Sequence, residues 1–259
     1  MNMHMPQSDI NKLVLRVPIV GAIFWIIKVL STTVGETAAD FLSFDMGWGM
    51  PLVAMIMSTI MIVLLVLQFT AFKRYIPFVY WTIVVLMSII GTLITDILVD
   101  NFGVSLMTLS IVFTITMLFG FMIWYKNEHT LAIHSINTAK REAYYWVIIL
   151  LAFALGTGAG DLISEGLAMG YGTALILFAG TISIVTIGHY VFKLNAILSF
   201  WLAYILTRPL GASLGDFMIQ PIENGGLGIH AGTVNIIFFM IIFFLITYVF
   251  ISKIDTNRR

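Results

Sequence analysis

Residues 146–161 read WVIILLAFALGTGAGD: a tryptophan, nine residues, a glycine, four residues, an aspartate. The same frame recurs as WIIKVLSTTVGETAAD (25–40), WTIVVLMSIIGTLITD (81–96) and WLAYILTRPLGASLGD (201–216). Everything between the fixed points is largely apolar, so each copy predicts a helix suited to lipid that carries one carboxylate at a fixed register. Carboxylates are costly inside a membrane and usually mark a functional path. Four at one register argue for a shared task.

The rest of the chain agrees with a membrane reading. Of 259 residues, 60% are hydrophobic and 10% charged, and the mean hydropathy is +1.02. A soluble domain of this size is not so apolar. Cysteine is absent, which excludes disulfides and thiolate metal sites. Residues 1–11 lack the layout of a cleavable signal peptide, so insertion is expected to rely on the first full helix. Runs of the roughly 20 residues needed to span lie near 18–43, 50–71, 76–99, 103–125, 143–167, 171–192, 195–220 and 229–252.

Eight spans put both termini on one face. Lys12, Arg16, Lys73, Arg74, Lys126, Lys140, Arg141, Lys193, Lys253, Arg258 and Arg259 all fall there, leaving only Lys28 and Arg208, within spans. The opposite turns carry Asp45, Asp100, Glu165 and Glu223 and no Lys or Arg. The positive-inside rule then predicts that both termini are cytoplasmic.

Each repeat reads as a helical hairpin: a motif helix going out, a short Gly-bearing turn, and a return helix. The repeats cover roughly 18–72, 75–126, 143–193 and 195–252, with a polar cytoplasmic linker over 126–142. The expected fold is all-α, one transmembrane domain over 1–259. Its four parallel hairpins are related by a pseudo-fourfold or pseudo-twofold axis along the membrane normal. In the pseudo-fourfold packing the motif helices are central, the return helices outside, and each hairpin closely held.

The four tryptophans and the GTGAGD core at 156–161 make the chain resemble bacterial membrane proteins built from four tandem copies of a two-helix repeat of unknown function. GETAAD, GTLITD and GASLGD depart from that core in the Thr or the second Gly. The resemblance spans roughly residues 20–250. It implies fold and topology, and no settled activity.

Function must therefore come from the residues. At helical spacing, Trp25, Lys28, Thr32, Glu36 and Asp40 share a stripe about 120° wide. The equivalent stripes are Trp81–Val84–Ser88–Thr92–Asp96, Trp146–Ile149–Phe153–Thr157–Asp161 and Trp201–Tyr204–Arg208–Ala212–Asp216. These faces should turn inward. The Asp lies about 22 Å along the helix from the Trp, so the tryptophans mark the cytoplasmic interface and the aspartates the outer part of the membrane. The neighbouring Gly permits close helix approach or a local break.

Glu36, Asp40, Asp96, Asp161 and Asp216 with the hydroxyls of Thr92 and Thr157 are the candidate ion-binding and metal-ligating groups. The rival reading has each Asp cap its turn or bond a neighbouring helix. Packed together, like charges and desolvation keep such carboxylates from ionising as a set, which offers a route to proton exchange. Lys28 and Arg208 break the fourfold likeness as gating or counter-ion candidates. The plainer readings are a snorkelling Lys28 and an Arg208 ion-paired to an Asp of a neighbouring repeat, beside the helix-bending Pro209.

Oxygen donors without cysteine suit H⁺, Na⁺, Mg²⁺, Ca²⁺ or Mn²⁺ better than soft metals. His189 and His230 read as interfacial residues with a secondary chance of contacting ions, and the methionines as packing. No HExxH, nucleophile elbow or phosphate loop is present, so an enzyme is not expected, nor a tightly bound cofactor or nucleic-acid partner. The lipid bilayer and a small cation are the expected partners, and homo-oligomerisation stays open. The leading expectation is a transporter of small cations, divalent metal coupled to H⁺ or Na⁺. A passive cation channel and a membrane scaffold or sensor are the alternatives.

Overall fold

The computed structural model describes residues 15–255. Lys12, Arg258, Arg259 and the amino-terminal stretch read against a signal peptide lie outside the described residues.

Eight long helices run through the described chain. The motif helices are α1 (Ala22–Asp40), α3 (Pro77–Asp96), α5 (Ala139–Asp161) and α7 (Ala196–Ile219). The return helices are α2 (Met50–Leu67), α4 (Leu106–Glu128), α6 (Tyr171–Tyr190) and α8 (Ala231–Ser252). All eight are long and apolar enough to cross a membrane, and no strand occurs among the described residues. Large apolar side chains such as Ile115, Phe119, Ile184 and Phe244 point outward. Such a surface belongs in a bilayer; this is a multi-pass membrane protein.

The motif helices form a closed ring, α1 on α3, α3 on α5, α5 on α7 and α7 on α1. In their most apolar windows 67%, 67%, 61% and 56% of residues are buried, against 17%, 11%, 22% and 28% for the return helices. The inner and outer layers and the pseudo-fourfold order follow from that contrast.

The hairpins differ from the sequence expectation. Each return helix packs chiefly on the motif helix of the following repeat: α2 on α3, α4 on α5, α6 on α7, and α8 back on α1. In the first and third repeats the return helix meets its own repeat mainly at the turn rather than along the motif helix. The physical reason is the ring itself. A motif helix uses two flanks for its ring neighbours, and the outer groove beside the next motif helix is where a return helix buries most surface.

Glycine fixes how closely the ring closes. A Cβ on Gly35 would strike Ser88, and one on Gly211 would strike Thr32. On Gly91 it would come within 2.7 Å of Phe153 Cβ, and on Gly156 it would strike the stem of Arg208. Each glycine thus receives the stripe residue seven after the tryptophan of the next repeat, four times around the ring. Small residues permit such backbone approach in membranes. The helices run unbroken through all four glycines.

The return helices end alike at the terminal face, with Lys73, His129, Lys193 and Lys253 at φ of 52°, 54°, 57° and 52°. Basic groups there complement the helix C-terminus. The expected linker is shorter than the polar run, because α4 extends to Glu128 and α5 begins at Ala139. Glu128 bridges the gap by pairing with Lys140 at 3.0 Å and Arg141 at 2.9 Å. Both described ends meet here: Ile19 N–H donates to Asp255 O at 2.9 Å, and Tyr75 O–H donates to the Asp255 carboxylate.

Candidate functional site

The inward stripes bring one polar group from each repeat to the bundle centre. Arg208, fully buried on α7, donates through Nη2 to Glu36 Oε2 at 2.7 Å, to Thr157 Oγ1 at 2.7 Å and to Thr92 Oγ1. Its Nη1 reaches the Thr32 carbonyl at 3.3 Å, and Thr92 Oγ1 donates to Glu36 Oε2 at 3.2 Å. The ion pair expected for Arg208 therefore exists, with Glu36 rather than an aspartate as partner. Glu36 sits one turn nearer the guanidinium than any Asp does. Pro209 leaves α7 a continuous helix over Ala196–Ile219.

One turn beyond this knot lie the four aspartates. Carboxylate oxygens of Glu36, Asp40 and Asp96 come within 4.8 Å of one another. Asp161 and Asp216 belong to the equivalent register but fall outside that close group. Asp216 is buried, and Asp40, Asp96 and Asp161 are half-buried.

Three of the aspartates make no capping bond. A five-residue π-helical turn begins directly after each of the three, Asp40, Asp96 and Asp161, at Phe41–Asp45, Ile97–Asn101 and Leu162–Gly166. Such wide turns recur at functional sites. In the fourth repeat α7 instead runs past Asp216, and Leu227 N–H and Ile229 N–H bond the carbonyls of Phe217 and Met218 at 2.8 and 2.9 Å.

Lys28 does not snorkel. It is fully buried, with Nζ 4.0 Å from the Phe153 ring centre and 4.3 Å from that of Tyr204. Those two rings are parallel within 5° and 6.4 Å apart. Nζ has no hydrogen-bond partner among the described residues.

Below Lys28, toward the terminal face, the axis is packed with aromatic rings. Phe24, Tyr80, Tyr145 and Trp201 surround Tyr204, and Tyr80 and Tyr145 share a 2.5 Å hydroxyl bond. Trp81, Trp146 and Trp201 are buried in this layer rather than lying at a lipid boundary. They lie on the stripe that the ring turns inward. Trp25 is only partly buried and lines a lateral groove.

Two lateral grooves of about 660 and 560 Å³ are lined by neither Glu36 nor any of the four aspartates. His189 is half-buried, with Nδ1 3.2 Å from Leu194 O. His230 accepts from Gly232 N–H at 3.1 Å and stands 4.0 Å from Asp45. Neither histidine enters the central site.

Sequence reading missed the aromatic box of Lys28, although Phe153 and Tyr204 both lie on the stripes. It also missed Glu142, fully buried at the terminal face, where it accepts from Arg16 at 2.5 Å and from Gln68 at 2.8 Å. No local signal separated this glutamate from the charged run beside it.

Chemically, the assembly offers oxygen donors for a hard cation beside an internal ion pair that blocks the axis. A family model described as a repeat of unknown function, DUF347, matches residues 23–74, 79–130, 144–195 and 199–255. Neither the curated proteins nor the solved structures contain a match.

Proposed function

The chain belongs to the DUF347 repeat family, and from that footing we propose that it is a transporter exchanging small cations, with a divalent metal ion such as Mn²⁺, Mg²⁺ or Ca²⁺ moved against H⁺ or Na⁺. The observation carrying this reading is the convergence of Glu36, Asp40 and Asp96, with carboxylate oxygens within 4.8 Å of one another. Three carboxylates so close repel unless a cation or protons sit among them. Oxygen donors of this kind suit hard divalent ions.

The reading is of an exchanger rather than a permanently open pore. Arg208 and the aromatic layer fill the axis on the terminal side of the carboxylates, so a cation entering at Asp40 and Asp96 meets a tethered guanidinium. Passage needs Arg208 to release Glu36. Thr92 and Thr157 then supply the hydroxyl oxygens of the next step. We take the terminal face as cytoplasmic, in a bacterial inner membrane, on the segregation of Lys and Arg.

The test is total metal content by mass spectrometry in cells expressing wild type or the Asp96→Asn/Asp161→Asn variant at matched membrane levels. A change in one divalent metal confined to wild type is expected. Unchanged metals under metal-loaded conditions would overturn the divalent assignment.

A further inference from the structure

The larger lateral groove, about 660 Å³, lies at the terminal-face end of α1, α6 and α7, beside the linker. Its two walls α1 and α6 do not pack along each other. The groove follows α7 from Ala196 to Leu210, about 21 Å by helical rise. That covers a headgroup layer and the roughly 15 Å of hydrocarbon in one leaflet. Val29 and Thr207 line its deep end, and Thr32 Oγ1 lies 2.8 Å from the Val29 carbonyl and 3.1 Å from that of Thr207. The floor of the groove is therefore the seam where α1 meets α7.

Two separate features give this apolar groove a polar, anion-seeking end. α1 starts at Ala22 with no side-chain cap from Gly21, and the N–H groups of Ala22, Ile23 and Phe24 have no acceptor among the described residues. Gly21 and Ala22 line the groove, and the space where a Gly21 side chain would stand is open. Free N–H groups at a helix start favour phosphate. On α7, by contrast, Asn195 already accepts from Ile197 and Leu198 N–H at 2.9 and 3.2 Å. The second feature is Ser199, one turn deeper on α7. It lines the same groove, is 7% exposed, and its Oγ has no hydrogen-bond partner among the described residues. A buried hydroxyl normally has one. His134 and His189 also line the groove, and no carboxylate does so among the described residues.

We propose that this groove holds an anionic phospholipid of the leaflet at the terminal face. Its phosphate sits at the N-terminus of α1, its glycerol-ester oxygens lie beside Ser199, and one acyl chain runs along α7 toward Leu210. A free anion would leave the apolar floor uncovered, and a lipid without phosphate would leave the α1 N–H groups unmet. So seated, the lipid wedges against the seam of α1 and α7, and its binding stabilises the closed ring. The proposal does not depend on the cation-transport reading.

The experiment titrates the full chain, delipidated in detergent, with phosphatidylglycerol, diacylglycerol or inorganic phosphate. Native mass spectrometry counts bound lipid, and thermal unfolding is followed in parallel. Phosphatidylglycerol is expected to bind roughly fivefold more tightly than diacylglycerol and to raise the unfolding temperature. Inorganic phosphate at the same concentrations should not stabilise. Gly21→Asp gives α1 its own cap and a negative charge, so the protein should stay folded while the preference for phosphatidylglycerol disappears. Ala203→Phe, which fills the groove lined by Ala203, should weaken both lipids.

Equal binding of the two lipids by wild type, or a preference that survives Gly21→Asp, overturns the proposal. Stabilisation by inorganic phosphate equal to that by phosphatidylglycerol would make this a free-anion site and overturns it as well. Should Gly21→Asp not fold, Ala203→Phe decides, and a phosphatidylglycerol affinity equal to wild type overturns the proposal.

Discussion

Arg208 Nη2 stands 2.7 Å from Glu36 Oε2 with both side chains almost wholly shielded, and the two residues come from the last and first repeats. The pair thus fastens the seam where the ring of four helices closes. Removing one partner of a buried pair leaves an uncompensated charge, at a cost of about 3–5 kcal/mol. Arg208→Met and Glu36→Gln are each expected to destabilise by that order, whereas Arg208→Met/Glu36→Leu should recover much of the loss. Thermal unfolding of the purified variants in one detergent checks this. Additive losses in the double variant would contradict it.

A second prediction concerns the glycine contacts. Gly35, Gly91, Gly156 and Gly211 each lie where an added Cβ meets a neighbouring motif helix, while Gly180 has nothing within 4 Å. Overpacking of this kind typically costs about 1–3 kcal/mol. Alanine at any of the four should lower thermal stability by that order, and Gly180→Ala should leave it unchanged. Gly156→Ala should in addition disturb Arg208, whose stem occupies the space. Indifference of all four sites would mean that the ring is looser than described.

These glycines also separate what was legible in the sequence from what was not. A fixed Trp–Gly–Asp frame and helical periodicity suffice to place Glu36, Thr92, Thr157 and Arg208 on inward faces, because a face is a local property of one helix. They cannot say that Gly156 meets Arg208 or that Arg208 selects Glu36. Those pairings depend on the rotation and height of one helix against another. The crossing of each return helix to the next repeat was hidden for the same reason: α2 is apolar on every side, so no stripe on it names a neighbour. The aromatic box of Lys28 looked like ordinary core on α5 and α7 until the ring brought them together.

At the terminal face the prediction is one of pH. Burial raises the Asp255 carboxyl above its ordinary range, against the opposing bond from Tyr75. A carboxyl whose folded value is raised favours the folded state most when protonated. Its contribution is full below the ordinary value of about 3.9 and is lost as pH rises through the folded value. Wild type should therefore lose thermal stability over that rise by more than Asp255→Asn, which keeps an acceptor for Tyr75 and does not titrate. Parallel pH curves for the two proteins would remove Asp255 from the account.

The four aspartates are equivalent in sequence but not in space, and that difference is testable. Asp40 and Asp96 share the close group with Glu36, while Asp161 and Asp216 stand outside it. If the group is the cation site, Asp40→Asn or Asp96→Asn should lower Mn²⁺ affinity at least as far as the loss of a supporting group does, roughly tenfold or more. Asp161→Asn and Asp216→Asn, one ring position further on, should cost less. None of these changes alters side-chain volume appreciably, and none of the four side chains makes an ion pair among the described residues, so folding should survive all of them. The measurement is Mn²⁺ affinity by calorimetry for each variant in the same nanodiscs. Four equal losses would mean that the carboxylates act as one symmetric ring. A larger loss at Asp216 than at Asp40 would move the site toward α7, whose Gly215 packs against the Glu36 side chain.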